Sequence, residues 1–350
     1  MFQIKIKPYT LHFRQPAGTS RGVYTEHHVW YVIFTDKDDP SHFGIGECAP
    51  LPDLSSDYSD TYAKTLSFFC RMTEEKQTLD MDSLRPYPSV LFGLETGLRH
   101  YRQQKWEFCD TPFTRSEKGI PINGLIWMGD FRHMYKQIDL KLKQGFKCLK
   151  LKIGAIEFKR ELELLRMIRK QYSAKEITLR VDANGNFDCT DALAKLNQLA
   201  ELDVHSIEQP IRAGQWEKMA ELIAWSPLPV ALDEELIGIN NLQQKRELLK
   251  TIRPKFIVLK PSLHGGLTGT AEWIELAREM GIGWWVTSAL ESNIGLNCIS
   301  QWCSTFNNPL PQGLGTGMLY TNNIDLPLTI RENCLWIDRN KEFPEKLMLL

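Results

Sequence analysis

Residues 147–153 read KCLKLKI, and four runs of the same character follow: ITLRVD (177–182), VHSIE (204–208), PVALD (229–233) and KFIVLK (255–260). Each is short, apolar and rich in strand-forming residues, and each carries charge at or near its end. The charged ends Lys152, Asp182, Glu208, Asp233 and Lys260 lie 30, 26, 25 and 27 residues apart. A βα unit of a parallel barrel takes roughly 30 residues, since roughly 250 residues make eight of them. The spacing therefore predicts one charge at the C-terminal end of each of five consecutive barrel strands. That is the end where such barrels carry their chemistry. The pattern reads as an enzyme.

Strand–helix alternation extends to both sides of these runs. IPINGLI (120–126) is the expected first strand, GWWVTSA (283–289) the seventh and PQGLG (311–315) the eighth. Helical patterns fall near 130–143, 157–172, 190–202, 215–225, 241–251, 267–280 and 293–305. Alternation on this scale argues for α/β with a parallel sheet. Before Ile120 the texture differs. FQIKIKPYTLHF, HHVWYVIF and HFGIGECA read as antiparallel strands, followed by helices near 58–74 and 88–104. RQPAGTSRG (14–22) and CAPLPDLSSD (48–57) carry Gly, Ser or Pro and read as loops. The predicted organisation is an α+β unit over 1–115, a barrel over 116–320 and a segment of short strands, 321–350, packing back on the first unit.

Composition narrows the function. The 350 residues are 43% hydrophobic and 24% charged, which supplies ample core. A net charge of −1 gives no basic field for nucleic acid or anionic lipid. The eight cysteines contain no CxxC pair and read as reduced thiols. No window reaches the roughly 20 apolar residues of a membrane helix, and MFQIKIKPYT lacks the apolar core of a signal peptide. A cytoplasmic enzyme acting on a small molecule is expected.

Side chains alternate along a strand, so Asp182, Glu208 and Asp233 are expected to point toward one place. Three unpaired carboxylates there would repel one another and raise their own pKa values. A hard divalent cation resolves that cost; Mg²⁺ fits an oxygen-only ligand set, with Mn²⁺ as a substitute. Without His or Cys at these ends, Zn²⁺ or iron fits less well. The rival reading pairs each acid with a nearby lysine or arginine. Matched spacing on one face favours the metal. Lys150 and Lys152, one residue apart, both face inward, and Lys260 enters across the mouth. Apolar surroundings, a second lysine and a cation are expected to lower the pKa of an inward lysine toward the range of a general base. Such a site suits removal of a proton next to a carboxylate.

With those residues laid out, the chain resembles the enolase superfamily, muconate-lactonizing subgroup. GIGECAPLP, KLKIG, LRVDANGNF, SIEQP, ALDEEL, VLKPSLHGG, TSALESNIGL and GLGTG look like successive motifs of that group. The likeness is strongest to the branch that makes o-succinylbenzoate for menaquinone. It implies a modified (β/α)₇β barrel under an N-terminal capping domain, with the eighth helix absent. It implies Mg²⁺ on Asp182, Glu208 and Asp233, with Lys152 as base and then acid. Lys260 would stabilise the enediolate and Lys150 hold the substrate carboxylate; Asn184, Ser288, Gly315 and Thr316 would touch substrate. The implied reaction is syn dehydration of 2-succinyl-6-hydroxy-2,4-cyclohexadiene-1-carboxylate. Two departures stand out. Gln209 occupies a place where many relatives carry Glu, and Gly315-Thr316-Gly317 stands where dipeptide epimerases carry Asp-x-Asp. The rivals are an N-acylamino acid racemase or dipeptide epimerase on the same scaffold, and a non-catalytic metal-binding barrel.

Overall fold

The structure is a computed structural model that describes residues 1–19, 22–154 and 156–344. Three antiparallel strands open the chain: β1 (Phe2–Thr19), β2 (Gly22–Asp36) and β3 (Phe43–Cys48). The segment 14–22, read from sequence as a loop, is instead mostly strand. β1 runs on to Thr19 and β2 resumes at Gly22, with a register shift between His12 and Ala17. Ser20 and Arg21 lie outside the described residues. The ladder is interrupted there, five steps on β1 against two on β2, and pairing resumes beyond it, so this stretch marks an irregularity in the ribbon rather than its end.

Helices α1 (Tyr62–Lys76), α2 (Met81–Leu84) and α3 (Pro88–Gln103) follow. The sequence reading missed α2, a single turn capped by Asp80. β3 is buried along its whole length because α3 lies directly on it. Glycine permits that approach: a Cβ at Gly46 would stand 1.9 Å from the Gly93 carbonyl oxygen, and one at Gly44 2.1 Å from the Tyr101 nitrogen.

The expected first strand, 120–126, is split in two. β4 (Ile120–Pro121) turns away, and β5 (Gly124–Ile126) begins a parallel sheet. That sheet continues through β6 (Cys148–Lys152), β7 (Thr178–Asp182), β8 (Ser206–Glu208), β9 (Val230–Leu232), β10 (Phe256–Leu259) and β11 (Gly283–Val286). Neighbours in the sheet follow chain order. The intervening helices are α4 (Phe131–Lys143), α5 (Phe158–Gln171), α6 (Ala192–Ala200), α7 (Trp216–Trp225), α8 (Leu242–Ile252) and α9 (Gly266–Glu279), with α10 (Asn293–Ser304) after β11. Leu149, Leu151, Ile153, Leu179, Val181, Ile207 and Leu259 all join the core beneath the helices. The alternate positions are thereby left to the other face of the sheet.

The expected eighth strand is reduced to two parallel bridges. Gln312 pairs with Ile122 and Gly313 with Thr287, so the segment touches both ends of the sheet. The C-terminal hairpin, β12 (Leu328–Arg331) and β13 (Cys334–Ile337), pairs with β4. The adjoining residues reach the N-terminal unit through Tyr320 beside Phe13 and Asn322 on Thr10 and His12.

Two acids of the N-terminal unit, the buried Glu47 and the half-buried Glu95, sit on helix N-termini of the α/β unit. Glu95 of α3 accepts from the Leu267 nitrogen at 2.7 Å, at the start of α9. Glu47 of β3 accepts from the nitrogens of Ser292 and Gly295, both at 2.8 Å, at the start of α10. Unsatisfied amides and the helix dipole favour a carboxylate in each place. Burial nevertheless pushes Glu47 up to about 7, against the pull of the Ser292 and Gly295 bonds. Its folded value lies above the unfolded one, so its contribution is complete below about pH 4.5 and is lost as pH rises through about 7. Glu47→Gln cannot ionise. Its Tm relative to the unsubstituted chain is expected to climb between pH 5 and 7.5 in calorimetry; a constant difference would contradict the buried acid.

Candidate active site

The charged strand ends come together in one row. Register places Lys152 opposite Asp182 and Asp182 opposite Glu208, with Ala231 opposite Glu208. Asp233 lies two residues beyond Ala231, and Lys260 one beyond Leu259. Asp182, Glu208 and Asp233 are buried, as is Lys150.

Lysines lie between the acids. Lys150 Nζ stands 3.0 Å from Asp182 and 2.6 Å from Glu208. Lys152 Nζ stands 3.4 Å from Asp182, and Lys260 pairs with Asp233. Among the described residues, no three Asp, Glu, His or Cys side chains are gathered as a ready-made metal-binding group. The rival reading of the sequence thus describes these contacts: each acid meets a lysine.

At Lys150 and Lys260 the pKa shift runs opposite to the direction expected of an inward lysine. Burial alone would drive Lys150 down, but Asp182, Glu208 and Asp233 together raise it. Lys260 is likewise raised: burial opposes, and Asp233, Glu234 and Glu208 prevail. The sequence reading weighed burial and neighbouring cations and left out the carboxylates. Among the acids, burial and Asp182 raise Glu208. Asp182 itself is held low, since Lys150 and Lys152 overcome its burial.

The lysines do not use every carboxylate lone pair. Glu208 Oε2 and Asp233 Oδ1 are buried and receive no hydrogen bond. A buried carboxylate oxygen without a partner is costly. Two such oxygens, on adjacent strand ends beside Asp182, suit a hard cation that takes oxygen ligands. The donor set fits Mg²⁺.

A cavity of about 460 Å³ opens over this row. Lys150, Lys152, Lys260, Asp182 and Glu208 line it, and so do Asn184, Ser288, Gly315 and Thr316. Leu51, Leu54, Pro16 and Tyr24 of the N-terminal unit line it as well. Sequence reading missed Trp127. Its ring centroid lies 6.0 Å from Lys152 Nζ, and the Gln137 amide bonds both its nitrogen and its carbonyl, at 2.9 and 3.1 Å. Neither carries a periodic signal; only the position of Trp127 just past the first strand could have pointed to it.

Residues 133–339 match the family model described as "Enolase C-terminal domain-like". The o-succinylbenzoate synthase of Desulfotalea psychrophila is 44% identical over 352 residues, covering 91% of this chain and 94% of the relative. The chain belongs to the enolase superfamily. A crystal structure of MenC from Desulfotalea psychrophila superposes with a TM-score of 0.84 at 39% identity, over 96% of this chain and 99% of that one. Muconate lactonizing enzyme from Pseudomonas fluorescens, 19% identical, shares the fold with a TM-score of 0.80 over 98% and 95% of the two chains.

Within this superfamily chain, the residues around the row hold one another. Asn184, expected to contact substrate, accepts from Lys152 Nζ and donates to Glu234 Oε1, both at 3.0 Å. Its amide thus bridges Lys152 and Glu234. Ser288 Oγ donates to Glu291 at 2.6 Å and accepts from the Leu290 nitrogen. Thr316 Oγ1 is buried without a partner and remains able to meet a ligand. Gly315 has an ordinary negative φ of −91°, so backbone strain does not explain it. Gly317 is explained by contact, since a Cβ there would lie 2.7 Å from Asn293 Oδ1.

Gln209 uses its whole amide. Its oxygen accepts from the nitrogens of Asp233 and Glu235, both at 3.2 Å. Its nitrogen donates to the Ile211 carbonyl at 3.0 Å and to Glu235 Oε2 at 3.1 Å. Glutamate could make the first pair and not the second, and its charge would face Glu235. Gln209→Glu is expected to lose about 1–3 kcal/mol of stability and to loosen the turn that carries Asp233. Chemical denaturation checks the first, and Mg²⁺ titration calorimetry the second.

Proposed function

We propose that the chain is an o-succinylbenzoate synthase that dehydrates 2-succinyl-6-hydroxy-2,4-cyclohexadiene-1-carboxylate. The parallel sheet is read as a (β/α)₇β barrel, closed by the segment through Gln312 and Gly313 and capped by the N-terminal unit. The observation that carries the reading is a row of three buried acids and three lysines at the strand ends, in a chain alike over nearly its whole length to a synthase of that name.

Asp182, Glu208 and Asp233 would hold the cation, and the orphaned oxygens of Glu208 and Asp233 support that. Bound Mg²⁺, or Mn²⁺ in its place, supplies the positive charge that steadies the substrate carboxylate as it gains electron density. With a cation held there, the carboxylates would no longer need the lysines to neutralise them. Lys152 then removes the proton beside the carboxylate, held toward it by Asn184. The C–H electron pair enters the ring as the C–O bond breaks. The same ammonium returns its proton to the departing hydroxyl, which leaves as water. Lys260 faces the negative charge that develops, and Lys150 holds the carboxylate. The cover from the N-terminal unit excludes water.

The cavity's composition argues against a dipeptide substrate. Its acids are Asp182 and Glu208 of the row and Glu234, one residue past Asp233 and already bonded to Asn184, and Gly313, Gly315 and Thr316 offer no charge to an ammonium group. Racemisation of N-acylamino acids stays chemically open, because lysines from β6 and from the end of β10 reach the same row. Following loss of the cyclohexadiene chromophore with and without Mg²⁺, beside racemisation of an N-succinyl amino acid, tests both. Metal-dependent loss of the diene is expected, and its absence would overturn the reading.

A further inference from the structure

His27 lies on β2, away from the acid row, yet touches both walls of the cavity cover. Its buried imidazole places Nδ1 2.9 Å from the Leu290 carbonyl oxygen and Nε2 3.2 Å from that of Pro50. Pro50 begins the turn carrying Leu51 and Leu54. Leu290 closes the loop after β11, which carries Ser288. Leu51 and Leu290 pack in one apolar cluster with Leu263 and Ala289, and Leu51, Leu54, Ser288 and Leu290 line the cavity.

We propose that His27 is a positioning residue, a clasp that joins the Pro50–Leu54 turn to the Leu290 loop and sets how firmly the cavity is covered. Both of its partners are carbonyl oxygens, which only accept. A neutral ring carries one N–H and can satisfy one of them. Burial holds the pKa of His27 below its ordinary value, which favours that neutral form at pH 7. The two carbonyls do not depend on it equally. Leu290 has a left-handed backbone at φ 68°, uncommon for a branched residue. Its carbonyl also receives the Tyr320 hydroxyl at 2.6 Å. Pro50 receives no other hydrogen bond among the described residues. The clasp assigns the proton to Nε2, where it gives the Pro50 carbonyl a donor while the Leu290 carbonyl keeps Tyr320. Tyr24, also on β2, meets Asp53 of the same turn at 3.3 Å from a more exposed position.

The clasp rests on the reading above for what enters the cavity; its geometry does not. Asparagine places an amide nitrogen where Nδ1 stands, glutamine where Nε2 stands, and phenylalanine keeps only the ring. His27→Asn and His27→Phe are expected to raise KM for the diene roughly fivefold, the equivalent of one hydrogen bond of about 1 kcal/mol, with kcat little changed. His27→Gln is expected to stay near the unsubstituted value. In parallel, amide exchange at Leu51, Leu54 and Ser55, whose nitrogens are bonded within the turn, should quicken in the Asn and Phe variants and not in Gln. Glutamine no better than asparagine, or unchanged exchange in Phe, would overturn the clasp. So would a fall in kcat and Tm with KM unmoved. If the unsubstituted chain does not turn over the diene, the proposed function fails while the exchange comparison still decides the clasp.

Discussion

Lys152→Ala is expected to cut dehydration by at least the roughly 10²–10⁴-fold that a positioned proton-transfer group contributes, with the fold intact. The reason the fold survives is local. Asp182 meets two lysines, and without Lys152 it keeps Lys150 at 3.0 Å. Asn184 loses one partner and keeps Glu234. No buried carboxylate is stranded. Lys152→Arg should be equally inactive, because guanidinium keeps the charge and cannot act as a base near neutral pH. Activity beside an unchanged Tm separates this role from a structural one. Turnover within tenfold of the unsubstituted chain in either variant would remove Lys152 from the chemistry.

Lys260→Ala should behave differently. Asp233 is buried and Lys260 is the lysine it pairs with, so removing the amine leaves an uncompensated charge. Breaking a buried pair from one side costs about 3–5 kcal/mol. The metal-free variant is expected to lose stability on that scale and also to lose turnover. Mg²⁺ should restore much of the stability, since a ligand that binds only the folded state adds to it by mass action. Mg²⁺ should also bind the variant more tightly, because a competing cation is gone. A variant whose stability ignores Mg²⁺ would separate Asp233 from the metal.

The contrast between the two lysines shows what was legible in the sequence. The strand ends could be read because two periods agree: alternation along each strand and a nearly constant βα interval between them. Lys152, Asp182 and Glu208 accordingly fall in one register row. Non-local choices could not be read. Whether Ile120–Pro121 joins the parallel sheet or the C-terminal hairpin depends on Cys334 and Leu335, more than 200 residues away. The carboxylates were placed beside the lysines by the same two periods, but their charge, which raises Lys150 and Lys260 against burial, was not weighed. Gln209 looked like a departure from a motif, and its reason is Glu235 on the next strand end. His27 belongs to no motif, and its two carbonyl partners come from Pro50 and Leu290, 23 and 263 residues away.

On the proposed reading, the pairing of acids with lysines and the binding of a metal would be two states of one row. Without a cation the ammonium groups neutralise the carboxylates; with one, the lysines would be free to face substrate. A crystal structure grown with Mg²⁺ and o-succinylbenzoate tests this most directly. The ion is predicted among Asp182, Glu208 and Asp233, with Lys152 and Lys260 withdrawn onto opposite faces of the ring. Metal bound elsewhere, or lysines still bridging the three acids with product in place, would contradict it.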